Sequence, residues 1–192
     1  MSSEGTARIR NAQDLLIFVE ARNPGSSGKI LELLRPEVRE LMQSAPRGLW
    51  IPLKQDAHFV DSIIAHYGQA GAEEMWLDYS ARFVETPLQR ALFDGAIRLF
   101  GLSVGTFVRI IPRVWSTSFR GAGEIDVSEK GQGWRRLHLV GMHPQMCERS
   151  GYVILLRGLF RGMYRMAKVE VEDFQMSFDP RARELHAEFH WE

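Results

Sequence analysis

Apolar residues recur at helical spacing through the first 120 or so positions, and beyond Gly121 the period falls to two. Asn11 is placed to cap a segment carrying Leu15, Leu16 and Val19, which Asn23-Pro24-Gly25 ends. A second helix opens at Ser27, with Ile30, Leu34, Val38 and Leu41 on one stripe; Pro36 inside it allows two short helices instead of one. Leu49-Trp50-Ile51, bracketed by Pro46, Gly48 and Pro52, is too short to assign. Residues 55–69 are amphipathic through Phe59, Ile63, Ile64 and Tyr67 and stop near Gly68 and Gly71. Residues 73–84 follow, with Trp76, Tyr79, Ser80 and Phe83 on one face. Thr86-Pro87 is a cap with proline at the first helical position, opening a helix through Leu88, Leu92, Ala96 and Leu99. Ser103 caps the next, whose inward residues are Val104, Phe107, Val108, Ile111, Val114 and Trp115, with a kink or restart expected at Pro112.

The alternating stretches 124–127 and 134–140 flank Gly131-Gln132-Gly133 and predict a hairpin. A long helix is expected over 144–166, with Tyr152, Leu155, Leu156, Leu159 and Met163 inward. A second hairpin pairs 169–178 with 185–191 around Asp179-Pro180. The fold class is therefore α+β: a helical amino-terminal half followed by β-β-α-β-β, with an antiparallel sheet packed on helices. One domain over 1–192 is expected, with residues 1–7 as a flexible polar tail.

Composition narrows the function classes. Hydrophobic residues make up 45% and charged residues 25% of the chain, enough for a core without metals or disulfides. The lone Cys147 excludes a disulfide framework and a multi-cysteine zinc site, and fits a reducing, cytoplasmic setting. The opening MSSEGTARIR lacks the apolar core of a signal peptide, and no stretch approaches the length of a membrane span. With 24 basic and 24 acidic residues the chain has no global pull toward nucleic acid, and no nucleic-acid partner is expected. The charge is uneven, however: 11 Lys/Arg against 4 Asp/Glu over 109–168, and 2 against 7 from Glu170 onward. These two regions either neutralise each other in the fold or mark a binding face.

The phosphate-binding, dinucleotide and HExxH motifs are missing. Gly101-Leu102-Ser103-Val104-Gly105 has the letters of a nucleophile elbow, but it follows a helical stretch instead of a strand and Ser103 reads as a helix cap, so no enzyme is expected. Cys147 and His143 stand together near a helix start, where the macrodipole favours a thiolate, but such a pair is more often structural. His58 and His66 are two helical turns apart, and His186 and His190 lie about 13 Å apart along a strand, so neither pair has ligand spacing. His66 and His138 are the axial candidates for a haem, each better read as a surface or hydrogen-bonded residue. Neither a metal nor another cofactor is expected.

The long helix carries Gly151, Gly158 and Gly162 on one face, which lets it sit closely on a sheet or on a second copy of itself. Arg149, Arg157, Arg161 and Arg165 form a basic stripe beside that face, and with Arg113 they are candidates for contact with an anion or partner. The alternative is pairing of the stripe with the acidic last hairpin. The pocket candidates are Trp76, Tyr79, Phe83, Phe107, Val108, Trp115 and Tyr152: apolar faces with polar tips that either enclose a cavity or form plain core.

Several stretches resemble a known group. The segment GYVILLRGLFRGMYRMAKV at 151–169, then VEVEDFQMSFDP at 169–180 and ELHAEFHW at 184–191, is similar to the end of the 4-vinyl-reductase domain superfamily. That superfamily includes ligand-sensing domains of bacterial regulators, haem-NO-binding domains and subunits of the TRAPP tethering complex. The stretches LLIFVEARNPG at 15–25, LLRPEVREL at 33–41, GLWIPL at 48–53 and RIIPRVW at 109–115 extend the likeness over nearly the whole chain. Together they resemble a myxobacterial paralogous family of unknown function. The resemblance implies helices followed by β-β-α-β-β, with a pocket between helices and sheet. The regulators hold zinc through cysteines around the last hairpin; this chain has Val171, Phe174, Ser177 and Leu185 there, so that zinc is not expected.

The leading functional expectation is a noncatalytic small-molecule-sensing or regulatory domain that acts on a protein partner or by self-association. An adaptor that dimerises or binds a partner without a ligand is the alternative. An enzyme acting on a hydrophobic substrate would need a catalytic group that is not visible.

Overall fold

The computed structural model describes residues 4–82, 94–95, 97–129, 133–170 and 173–191. Within them, three short strands tie the helical half together. Strand β1 (Thr6–Arg8) lies between β2 (Trp50–Pro52) and β3 (Phe119–Arg120), antiparallel to both. Residues 6–8 therefore belong to the fold and not to a flexible tail, and Ala7 is buried. The stretch is too short and too polar for its alternation to stand out; pairing on both sides makes it a strand.

Helix α1 (Ile9–Arg22) begins two residues before the expected cap, with Arg8 as the extended residue in front of it, and ends at Asn23. Pro36 does divide the next stripe, giving α2 (Ser26–Glu32) and α3 (Pro36–Ser44) with proline in the first turn of α3. Helix α4 (Leu53–Arg82) breaks at Gly68, where φ is 72°. Only glycine takes that left-handed conformation without cost, so the break falls where the sequence signalled it. The helix expected from Thr86-Pro87 lies largely outside the described residues, as does Phe83. Helix α5 (Val104–Ser118) starts where Ser103 Oγ accepts the Thr106 backbone N–H at 3.2 Å, and it runs through Pro112 without a restart.

The second sheet has the order β4-β5-β7-β6, all antiparallel, from β4 (Glu124–Glu129), β5 (Trp134–Val140), β6 (Asp173–Asp179) and β7 (Glu184–His190). The expected long helix is two pieces, a single turn α6 (Pro144–Cys147) and α7 (Ser150–Ala167). Leu137, Leu139, Leu185, Ala187 and Phe189 point to the helical side and are buried, while the alternate residues form a polar outer face.

Helix α7 is held between this sheet and α4. On the sheet side Phe160 and Tyr164 meet Phe189 at ring separations of 5.8 and 6.2 Å. Against α4 it presents its glycines. A Cβ on Gly158 would lie 2.5 Å from the Glu73 carbonyl oxygen; one on Gly162 would overlap Ser80 Oγ and sit 2.8 Å from the Leu77 carbonyl oxygen. The glycine face was expected against a sheet or a second copy; its partner is α4.

The arginine stripe beside it has the same partner. Arg149 pairs with Asp61, Arg157 with Glu73 at 3.8 Å, Arg161 with Glu73 at 2.6 Å, and Arg165 with Asp78 and with Glu74 at 3.3 Å. These four guanidiniums neutralise the acidic face of α4, not the last hairpin, and this leaves them poorly placed to hold an anion. Arg113 stands apart, exposed on α5.

Candidate functional site

Where α1, α4, α5 and α7 meet, the side chains enclose a cavity of about 140 Å³. Helix α1 contributes Asn11, Ala12 and Leu15. Both halves of α4 contribute, with Asp56, Phe59 and Val60 before the Gly68 break and Trp76, Tyr79 and Ser80 after it. Helix α5 supplies Phe107, Ile110, Ile111, Val114, Trp115 and Ser118, and α7 supplies Leu155, Leu156, Leu159, Phe160, Met163 and Met166. The walls are hydrocarbon and thioether almost throughout. The size is close to the roughly 150 Å³ engineered cavity that takes up benzene, and below the roughly 300 Å³ at which drug-sized pockets begin.

Four of the expected pocket residues line it: Trp76, Tyr79, Phe107 and Trp115. Val108 is fully buried in the core but does not line the cavity. Tyr152 is also fully buried and reaches the site indirectly, through its hydroxyl on Asp56. Periodicity could not identify Asp56, because its inward position on an amphipathic helix reads as an isolated polar exception.

The polar groups here are few and distinct. Trp115 Nε1–H donates to the Gly123 carbonyl oxygen at 3.0 Å and is spent. Ser80 Oγ donates to the Leu77 carbonyl oxygen at 2.8 Å. Trp76, only 1% exposed, has its Nε1–H buried without a hydrogen-bond partner among the described residues. An unsatisfied buried donor costs about 1–3 kcal/mol, so an acceptor brought to it by a ligand is favoured. Burial, then the nearby negative charge of Asp14, hold the Tyr79 phenol well above its ordinary range.

Tyr152 Oη donates to Asp56 Oδ2 at 2.6 Å. Burial pushes the Asp56 carboxyl up to about 6, and the Tyr152 hydrogen bond opposes that shift only in part. Its pKa is raised in the folded state, so the charged form is what folding disfavours: the penalty is present above the folded value and is relieved as pH falls through 6 toward the unfolded value. Asp56→Asn removes this dependence. Relative to wild type, the variant is expected to gain about 2 kcal/mol between about pH 4.5 and pH 8. Paired urea melts at several pH values check it, and parallel stability curves would contradict it.

The other chemical candidates lie elsewhere. Burial raises the Cys147 thiol, against the pull of a helix start toward thiolate, and His143 Nδ1 accepts the Gln145 N–H at 3.2 Å as the cap of α6, so both residues have the structural roles expected of them. His66 is half-buried on α4, with its ring edge-on to Tyr67 at 4.5 Å, and His138 stands on the outer face of the sheet. Neither lines the cavity.

No protein-family model matches the sequence, and no curated protein matches it. Solved structures do. The chain superposes on an Fe(II) unliganded H-NOX protein from K. algicida with a TM-score of 0.64 at 10% identity, covering 96% of this chain and 95% of that one. A Cs H-NOX variant carrying 4-cyano-L-phenylalanine gives 0.62 at 9% identity, with 96% of each chain covered. The chain has the H-NOX fold. Identity this low carries the fold and nothing finer, so the site must be judged on its own residues.

The H-NOX fold makes haem the cofactor to test. Haem iron is held by histidine, cysteinate, tyrosinate, or methionine with histidine. Among the described lining residues there is no histidine or cysteine, and residues 83–93 contain none in their sequence. Tyr79 resists ionisation, which leaves Met163 and Met166 without a histidine to complete the set. No described arginine or lysine lines the cavity to receive carboxylates, and about 140 Å³ suits a single small ring, not a macrocycle. The residues present do not fit haem.

No described helix is long and apolar enough to cross a membrane.

Proposed function

We propose that this chain is a noncatalytic sensing domain whose ligand is a small apolar molecule with one hydrogen-bond acceptor, held in the cavity between α1, α4, α5 and α7. The observation that carries the reading is an otherwise hydrocarbon cavity lined by Trp76, a residue whose buried Nε1–H has no hydrogen-bond partner among the described residues. Size limits the ligand to about the bulk of a substituted benzene. The donor selects a carbonyl, ether or nitrile over a plain hydrocarbon. A ligand-free adaptor gives this cavity no role.

The cavity wall includes both halves of α4, on either side of Gly68, and the face of α7 next to its glycines. Occupancy therefore bears on the packing that holds the two main helices. As a regulatory domain it passes its state to a protein partner or to a second copy of itself, in the cytoplasm. Within the H-NOX fold we place it with the myxobacterial paralogous family, on the motifs at 15–25, 33–41, 48–53 and 109–115.

Native mass spectrometry of freshly purified protein, followed by solvent extraction, is the direct test. A retained small apolar molecule, released on denaturation, is expected. A clean apo mass, with no rise in melting temperature across a panel of single-ring ketones, ethers and nitriles, would overturn the reading.

A further inference from the structure

Strands β5 and β7 pair so that His138 stands directly opposite His186 on the polar outer face of the sheet. Their rings stack, with centroids 4.0 Å apart and planes within 19° of parallel. Glu184, two residues before His186 and therefore on the same face, brings one carboxylate oxygen to both rings. Its Oε2 is 3.2 Å from His138 Nε2 and 3.6 Å from His186 Nε2. One donor atom from each of the three side chains lies within 4.8 Å of the others. Asp126, the register partner of His138 on β4, adds a second carboxylate to the same row.

We propose that His138, Glu184 and His186 form a surface site for a first-row divalent transition-metal ion, with zinc as its simplest occupant. Two imidazoles and a carboxylate are a donor set zinc takes with a position left open. The spacing agrees with that chemistry: at bonds of about 2.0–2.1 Å, ligands on a tetrahedral ion stand about 3.3 Å apart, between the two nitrogen–oxygen separations here. Without an ion, two stacked rings share one acceptor oxygen, and protonating both places like charges face to face. An ion replaces that repulsion with attraction from all three groups. The neighbouring Arg136 does not compete, because it is committed to Glu188 at 2.6 Å.

The three side chains are 33%, 37% and 42% exposed, so solvent can complete the coordination and substitutions there do not disturb the core. Leu137, Leu139, Leu185 and Ala187, on the opposite face of these strands, are buried. A bound ion would clamp β5 to β7 behind them. Histidines on separate strands cannot be matched by spacing along the chain, so this reading departs from the expectation of no metal. It does not depend on the cavity.

The test is calorimetric titration of zinc chloride into tag-free, chelator-treated full-length protein at about pH 7.5, because protons compete for the same nitrogens. One ion per chain is expected. His138→Ala and His186→Ala should each weaken binding at least about tenfold, Glu184→Gln should weaken it, and His190→Ala should leave it unchanged. The His138 and His186 ring proton resonances should shift together on zinc addition. Absence of binding at millimolar zinc, or binding that survives His138→Ala and His186→Ala, would overturn the assignment.

Discussion

Alanine at both Gly158 and Gly162 is expected to remove a large part of the stability of this chain. Alanine alone is favoured over glycine in a helix by about 1 kcal/mol, so propensity argues for a gain. Packing argues the other way and is larger, because forcing a methyl into a filled contact costs about 1–3 kcal/mol. At Gly162 the new Cβ meets Ser80 Oγ and the Leu77 carbonyl oxygen; at Gly158 it meets the Glu73 carbonyl oxygen. Backbone does not yield as a side-chain tip does, so both sites fall at the upper end of that range. The pair should lose about 4 kcal/mol net, a large part of the roughly 5–15 kcal/mol that holds a small domain. Gly151 is the control, because its neighbours are the side-chain atoms Asp61 Oδ1, Val60 Cγ1 and Ile64 Cδ1 at 3.0 to 3.2 Å. Urea unfolding should show larger losses for Gly158→Ala and Gly162→Ala than for Gly151→Ala; variants more stable than wild type would contradict the α4–α7 contact.

That contact separates what the sequence could reveal from what it could not. The glycine face, the arginine stripe, the Ser103 cap and the two hairpins are local patterns, and they are where the periodicity placed them. Their partners are tertiary facts. The stripe pairs with acids on α4 instead of the acidic last hairpin because α7 lies between α4 and the sheet, with its guanidiniums on the α4 side. Trp76 and Trp115 were both readable as inward aromatics, but only the fold distinguishes the indole bonded to Gly123 from the one left without an acceptor. Asp56 and Tyr152 come from different helices, and each alone looks like a misplaced polar group in an apolar stripe. The stacked histidines are joined by strand register alone.

Val114→Phe should separate the cavity from the core around it. Val114 lines the cavity without being fully buried, and a phenylalanine there occupies the space a ligand would take. Filling a void commonly adds about 0.5–2 kcal/mol, so the variant should melt higher than wild type while losing ligand binding. The two effects have opposite sign, which rules out general damage as the cause of lost binding. Thermal melts with and without a single-ring ketone check both: the ketone should raise the wild-type midpoint and leave the variant unmoved. An equal rise in both would place the binding elsewhere.

The central claim is that Trp76 Nε1–H awaits an acceptor carried by a small apolar ligand. Acetophenone and ethylbenzene have nearly the same shape and differ by one carbonyl, so calorimetric affinities of both for wild type and Trp76→Phe close a cycle on that hydrogen bond. A neutral hydrogen bond contributes about 0.5–1.5 kcal/mol, and the acetophenone-to-ethylbenzene affinity ratio should therefore fall by up to about tenfold in Trp76→Phe. A ratio unchanged by the substitution, or binding of neither compound to wild type, would contradict the claim.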